Sequence, residues 1–263
     1  MSSETARFEV LGQGLEYRWI GPRPDRAPTI VFLHEGLGCL AMWRDFPDRM
    51  TSATGCGALV YSRMGYGASD PVPGPRSVRF MHDEALEVLP AVIERFKLEE
   101  VILFGHSDGA SIAVIYAGAL LAPVGALVLE APHVFVEPIC IESIARMARE
   151  YETTRLRERL ARHHGSNTDS MFRTWTDVWL GPEFQHWNIE EYLPAIQSPV
   201  LVVQGEDDEY GTVRQVDAVV TQVSGPAESL VLARCGHSPH SDHPDAVLEA
   251  AGRFVRETLD LGR

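Results

Sequence analysis

The sequence has few of the features that mark metal, redox or disulfide-rich proteins. Its four cysteines are Cys39, Cys56, Cys140 and Cys235, and no two of them stand at Cys-x-x-Cys spacing. That spacing is the usual signature of zinc and thiol redox sites. We therefore expect buried free thiols in a reducing compartment, no metal site and no cofactor.

Long apolar runs and basic clusters are missing too. The first residues lack the apolar core of a signal peptide, and no stretch reaches the length of about 20 apolar residues that crosses a bilayer. The formal net charge is −14. A negative charge of this size repels polyanions and anionic membranes. We expect a cytoplasmic protein that acts on a small molecule and has no nucleic-acid or membrane partner. A homodimer is compatible with the sequence.

Alternating strand and helix patterns predict the fold. The chain has 263 residues, of which 45% are hydrophobic, enough for one large core. After a hairpin over residues 8–20, apolar strand-like runs alternate with helical periodicity, and Pro90 is expected to kink a helix over residues 82–96. This pattern predicts an α/β fold with a mostly parallel, doubly wound sheet. The expected strands cover residues 29–33, 58–61, 101–104, 126–129, 199–205 and 229–233.

One predicted strand ends in an order that builds an exposed nucleophile. Residues 101–110 read VILFGHSDGA, so an apolar strand passes through Gly-His-Ser-Asp-Gly into a small-residue helical stretch. A sharp strand-to-helix turn of this kind lifts the serine hydroxyl off the sheet and requires glycine where a Cβ has no room. The Gly-x-Ser-x-Gly pattern is weak by itself, but the flanking strand and helix strengthen it. Ser107 is the predicted nucleophile.

The partners that a serine needs follow two later strands. The acidic residues 206–208 follow one strand, and Cys-Gly-His at residues 235–237 follows the next. Parallel sheets place their ligands at the carboxyl edge, so both loops are expected to meet Ser107. Histidine suits the role of base because its reference pKa is about 6.5, and a carboxylate fixes its tautomer. The predicted base is His237 and the predicted carboxylate is Asp208, with Asp207 as the alternative.

With the order serine, acid, histidine, the chain resembles the α/β-hydrolase superfamily over nearly its whole length. Residues 30–38 are similar to the family's His-Gly oxyanion loop, and residues 61–70 to its Arg-x-Gly-x-Gly-x-Ser turn. The resemblance implies that the backbone N–H groups of Gly36 and Asp108 form the oxyanion hole. Glu35 departs from the pattern, since glycine usually follows His34. A carboxylate there repels an oxyanion unless it turns away or is neutralised.

Between residues 134 and 192 the alternation stops. Helical periodicity at residues 141–150, 153–164 and 170–180 replaces it, and the resemblance implies a helical cap over the active site. The predicted division is a hydrolase core at residues 1–133 and 193–263 and a cap at residues 134–192. Most cap aromatics are expected to form the cap's own core. Phe135, Trp175 and Trp179 are candidate substrate-binding residues, together with Glu35.

The histidines near these motifs have less specific roles. His106 is expected to pack or hydrogen-bond rather than react, because its side chain points away from Ser107. His240, Asp242 and His243 superficially look like a metal site. We favour a turn that supports the histidine loop and caps the following helix.

Two acidic residues flank the predicted oxyanion hole. The Ser-Asp-Gly order is similar to that of α-amino-acid ester hydrolases, which makes Asp108 a candidate to recognise a substrate amino group; bonding to nearby backbone is the alternative. Glu35 and Asp108 are expected to make the pocket mouth negative and to disfavour anionic substrates. The opposing hypothesis is that Arg63 or Arg44 neutralises Glu35.

The sequence predicts a cofactor-free serine hydrolase that cleaves a small carboxylic ester through an acyl-enzyme. A lactonase, a thioesterase and a carbon–carbon bond hydrolase are alternatives on the same triad. The last is less favoured, because such relatives usually carry a longer Gly-rich oxyanion loop. A ligand receptor with slow turnover is the alternative outside enzymes, and repeated product release would distinguish the two.

Overall fold

One eight-stranded sheet organises the chain in the computed structural model, which describes residues 5–261. The first two strands run antiparallel to their neighbours and the other contacts are parallel, in the spatial order β1-β2-β4-β3-β5-β6-β7-β8. The predicted mostly parallel α/β sheet is therefore confirmed. The strands are β1 (Ala6–Val10), β2 (Gln13–Ile20), β3 (Thr29–Leu33), β4 (Gly57–Tyr61), β5 (Val101–His106), β6 (Ala126–Glu130), β7 (Val200–Gly205) and β8 (Ala227–Leu232).

Helices cover both faces of this sheet. Strands β3 to β7 are buried along their whole length, as strands between two helical layers must be. Among the described residues, no helix combines the length and the apolar character that a membrane span requires. The helices are α1 (Phe46–Thr54), α2 (Phe80–Asp83), α3 (Leu89–Phe96), α4 (Asp108–Gly118), α5 (Pro138–Thr153), α6 (Leu156–His164), α7 (Thr168–Trp179), α8 (Val213–Gln222), α9 (Pro239–Asp242) and α10 (Pro244–Leu261).

Alternation along β3 separates the two halves of the core. Ile30 and Phe32 pack in one cluster with apolar residues of α1 and α10. Val31 and Leu33 point to the opposite face, where they join apolar residues of α3, α4 and α8. This period of two is the physical reason that a short apolar run can bury both of its faces.

The helix predicted around Pro90 is continuous but irregular. Between α2 and α3 the chain forms a π-helical segment, Glu84–Val88, and Pro90 then stands in the first turn of α3. Proline has no N–H to donate to the preceding turn of a helix. The π-helical segment therefore lies where a regular α-helix would lose a backbone hydrogen bond.

Helices α5, α6 and α7 fill the chain between β6 and β7, where helical periodicity predicts them. Their residues Ile144, Trp175 and Trp179 belong to the same apolar cluster as the sheet and α4. His164 of α6 accepts a hydrogen bond from the Gly67 N–H at 3.0 Å, which ties these helices to the strand-end loops. The division of the chain into core and cap stays a prediction.

Candidate active site

Ser107 occupies a strained turn between β5 and α4. Its φ of 54° and ψ of −117° are unusual for a residue with a side chain. A Cβ at Gly105 would collide with the backbone of Gly109, and a Cβ at Gly109 would collide with the carbonyl of Leu33. Both glycines of the Gly-x-Ser-x-Gly sequence are therefore required by close backbone approach.

The structure brings Ser107, His237 and Asp208 together, although the three are far apart in sequence. Ser107 Oγ lies 2.9 Å from His237 Nε2. His237 Nδ1 lies 2.9 Å from both carboxylate oxygens of Asp208. The imidazole thus has one nitrogen for the serine proton and the other fixed by a carboxylate, as nucleophilic catalysis by serine requires.

Asp208 is buried, and its neighbours favour its charged form. Gln204 Nε2 and the backbone N–H of Tyr210 each donate to it at 2.7 Å. Burial opposes the charge, but His237 and the Tyr210 N–H lower the pKa of Asp208 to about 2. Asp207 is exposed, and its hydrogen bond is a backbone contact to Cys235. The structure therefore places Asp208, rather than Asp207, beside the histidine.

The backbone N–H groups of Gly36 and Asp108 are the predicted oxyanion donors. Gly36 lines the same cavity as Ser107, and Asp108 begins α4. Within the described residues neither N–H donates a hydrogen bond, so both are available to an oxyanion. The indole of Trp175 lies where a Cβ of Gly36 would be.

The Glu35 carboxylate folds back over Gly38 and faces His106. This carboxyl group fills the space where a Cβ of Gly38 would be. Its Oε2 lies 3.4 Å from His106 Nδ1, and this is its one ion pair among the described residues. Arg63 instead donates to the backbone carbonyl of Glu35 at 2.9 Å. The hypothesis that Arg63 or Arg44 neutralises the carboxylate is therefore wrong, because buried His106 lies closer to it.

The Asp108 side chain does not face the cavity. It is wholly buried, and its Oδ2 accepts a hydrogen bond from Trp175 Nε1 at 3.0 Å. Burial raises the pKa of this carboxyl group above its usual range. The structure thus contradicts the expectation that Asp108 adds charge to the pocket mouth, because the Trp175 indole covers it.

A cavity of about 220 Å³ opens beside Ser107. Three of the four predicted substrate-binding residues line it, namely Glu35, Trp175 and Trp179. Phe135 is not among the described lining residues, which corrects the prediction. It precedes α5 and its ring lies under the Arg214 guanidinium at 5.3 Å. The other lining residues are Gly36, Leu37, Ser107, His133, Cys140, Ile144, Met147, Glu209, Tyr210, His237 and Ser238.

Sequence reasoning missed three polar residues of this cavity. His133 is buried with its ring centre 5.6 Å from that of His237, and burial lowers its pKa to about 3, so it is neutral. The ring centre of Tyr210 lies 4.7 Å from that of His237. Glu209 also lines the cavity, and its carboxylate lies near Gly236. His133 follows β6 as Ser107 follows β5, so the carboxyl-edge rule would have found it.

The histidine-rich segment after His237 makes contacts that hold the His237 loop in place. His240 Nδ1 lies 2.8 Å from Glu130 Oε2, and Asp242 accepts a hydrogen bond from the Gly236 N–H at 2.9 Å. His106, Glu130 and His240 lie near enough to share a cation. Their contacts with one another and with Glu35 explain this proximity as buried ion pairing.

Comparisons with known proteins agree with this architecture. The chain is 26% identical to the 2-hydroxy-6-oxononadienedioate/2-hydroxy-6-oxononatrienedioate hydrolase 2 of Pseudomonas putida, over 92% of this chain and 93% of that one. It is 23% identical to a proline iminopeptidase of Lactobacillus crispatus (strain ST1), over 97% of each chain. The solved structure of 2-hydroxy-6-oxo-6-phenylhexa-2,4-dienoate hydrolase from Rhodococcus sp. strain RHA1 superposes with a TM-score of 0.80 at 15% identity, covering 97% of this chain and 100% of that one.

The sequence profile described as "Alpha/beta hydrolase family" matches residues 30–250, which is most of the chain. The sheet order, the strained serine turn and the loops at the carboxyl edge are the corresponding structural features. The chain therefore belongs to the alpha/beta hydrolase family.

Proposed function

We propose that this hydrolase cleaves a small, uncharged carboxylic ester through an acyl-enzyme. The observation that supports this most is the unbroken chain of contacts from Ser107 Oγ through His237 to Asp208, at the wall of a cavity that also holds the free Gly36 N–H. Such a chain supplies nucleophile, base and oxyanion donor in one place.

The geometry suits two acyl-transfer steps. Ser107 Oγ attacks the ester carbonyl carbon while His237 Nε2 takes its proton, and the N–H groups of Gly36 and Asp108 receive the developing oxyanion. The alcohol leaves with the proton held by His237, and the acyl group stays on Ser107. His237 then deprotonates a water that attacks the acyl carbon. The carboxylic acid leaves and the proton returns to Ser107, while Asp208 orients the imidazole throughout.

The cavity favours a small, uncharged acyl group. Its volume is about 220 Å³, and Ile144, Met147, Trp175 and Trp179 supply apolar walls. Glu209 lies at this wall, and no arginine or lysine is among the described lining residues. The Pseudomonas putida relative is named for a dicarboxylate. Among the described lining residues no arginine or lysine is available to bind such a substrate, which argues against the same specificity here.

An amine-bearing substrate is the second candidate. The Glu209 carboxylate would attract an ammonium group at the cavity wall, and the Lactobacillus crispatus relative is named a proline iminopeptidase. A panel of matched neutral, amine-bearing and carboxylate-bearing esters, with proline anilide added, separates these substrate classes. We expect the neutral ester to have the highest kcat/KM.

Ser107→Ala tests the function itself. We expect this variant to lower kcat for ester hydrolysis by several orders of magnitude and to abolish labelling by a fluorophosphonate. Its melting temperature should equal that of the wild type. Ser111→Ala is the matched control, because Ser111 is a buried serine of α4 whose Oγ donates to the His133 carbonyl; this variant should still be labelled. Substantial hydrolysis by Ser107→Ala contradicts the proposal. A single acylation without further product release identifies a receptor instead of an enzyme.

A further inference from the structure

Buried His106 and partly buried Glu35 form an ion pair next to the serine turn, and the acyl-transfer steps do not use it. His106 is the last residue of β5 and is wholly buried. Its Nδ1 lies 3.4 Å from Glu35 Oε2, in the oxyanion loop. Its Nε2 lies 2.6 Å from the main-chain oxygen of His237. His106 therefore contacts both loops between which the reaction takes place.

These two contacts favour hydrogen on both ring nitrogens of His106. A carbonyl oxygen only accepts, so Nε2 donates to His237, and the Glu35 carboxylate favours a proton on Nδ1. Burial opposes the charge, but Glu35 and Glu130 raise the pKa of His106 to about 9. Burial likewise opposes the charge of Glu35, and His106 nevertheless holds the pKa of Glu35 well below its usual range. Both shifts favour the imidazolium–carboxylate form of the pair.

Loss of the extra His106 proton would leave the carboxylates of Glu35 and Glu130 next to a neutral imidazole. Glu130, at the end of β6, faces His106 and is itself paired with His240 at 2.8 Å. Among the described residues, the other titratable groups that face His106 are histidines: His237 and His240, whose ring centres are each 5.2 Å away, and His133, which burial keeps neutral. The charge balance of this layer therefore depends on the His106 proton.

We propose that Glu35 and His106 form a positioning pair that aligns the base and the oxyanion donor, an inference that rests on the proposed serine-hydrolase function. By donating to the main-chain oxygen of His237, His106 holds the loop that carries this residue. His237 Nε2 therefore stays 2.9 Å from Ser107 Oγ. By pairing with Glu35, it keeps the carboxylate folded over Gly38 and holds the loop that carries Gly36. One ion pair thus supports both halves of the machinery.

The test follows the rate at which a fluorophosphonate labels Ser107, on both sides of pH 9. We expect the wild-type rate to fall above the His106 pKa of about 9. Glu35→Gln should move this alkaline fall to lower pH, because the neutral amide no longer holds the proton. His106→Asn should remove the fall and lower the rate by up to about a hundredfold, as for an ångström-scale misplacement. With an ester, kcat should decrease and KM should stay near the wild-type value.

Glu209→Gln is the matched control, because it removes the other acidic side chain of the cavity without touching His106. Its alkaline midpoint should equal that of the wild type. An unmoved midpoint in Glu35→Gln, or an effect on KM alone, overturns the positioning role. If His106→Asn does not fold, the near-isosteric Glu35→Gln still decides. Hydrolysis that survives Ser107→Ala would refute the serine-hydrolase function, whereas an unmoved midpoint with Ser107 essential refutes only the pair.

Discussion

The indole N–H of Trp175 donates to Asp108 Oδ2 at 3.0 Å, which joins helix α7 to the first residue after the serine. Both side chains are buried, and the other carboxylate oxygen of Asp108 has no hydrogen-bond partner among the described residues. A substrate amine would have to displace this indole to reach Asp108. The amine-binding role considered for Asp108 therefore lacks support, and a structural link between helix α7 and the serine turn takes its place.

A double-mutant cycle measures this link. Trp175→Phe keeps a ring but removes the donor, so we expect it to couple with Asp108→Ala by about 1–3 kcal/mol in urea unfolding. Trp179→Phe is the control, because the Trp179 N–H is buried without an acceptor among the described residues. The effects of Trp179→Phe and Asp108→Ala on the unfolding free energy should be additive within about 0.5 kcal/mol. Equal coupling in both cycles would mean that ring volume, not the hydrogen bond, matters.

The second prediction separates two adjacent acids. Asp208→Asn should lower kcat by about 10⁴-fold, because an amide no longer fixes the tautomer of His237. Asp207→Asn should change kcat less than about twofold, since Asp207 is exposed and its side chain makes no hydrogen bond among the described residues. Steady-state kinetics with one neutral ester suffice. A larger loss at Asp207 would reverse the assignment.

The third prediction concerns substrate charge. Glu35 is balanced by His106 and Asp108 is covered by Trp175, so Glu209 is the acid left to repel an anionic ester. Glu209→Gln should raise kcat/KM for a carboxylate-bearing ester by about fivefold, the size of a screened charge contact. Kinetics with the matched neutral ester should show little change. Asp108→Asn should leave the substrate ranking unaltered, and a change there would show that the carboxylate reaches substrate.

The fourth prediction uses the pH dependence of the attachment of α6. His164 Nδ1 accepts from the Gly67 N–H, and Nε2 donates to the Leu37 carbonyl at 3.0 Å. Burial lowers the pKa of His164 below its usual value of about 6.5. The neutral form is therefore favoured on folding, and its contribution is present above about pH 6.5 and lost as the pH falls through the lower folded-state pKa.

The variant His164→Ala should accordingly lose about 1–3 kcal/mol of unfolding free energy at a pH above that range. The difference from wild type should shrink in acid, where protonated His164 can no longer accept from Gly67. Urea unfolding at two pH values measures this. His163→Ala is the control, since His163 is exposed on the same helix. An equal loss for His163→Ala, or a loss at His164 that is independent of pH, would contradict this account.

The order of the chain by itself determined the sheet and the position of Ser107. Apolar runs and helical periods are local properties, so the strand positions to within two residues, the helices between β6 and β7 and the glycine-flanked turn follow from neighbours in sequence. The rule that parallel strands present their carboxyl ends at one edge then brought His237 and Asp208 to the serine.

Tertiary contacts decided what local patterns do not contain. Glu35 meets His106 rather than Arg63, and Trp175 rather than Phe135 reaches the cavity, because packing of distant segments sets which side chains are neighbours. The charge of a buried group likewise depends on its enclosure and its partner, which no spacing rule encodes. The sequence thus determined which residues stand at the sheet edge, and only the folded packing determined which of their charges are paired, covered or free to act.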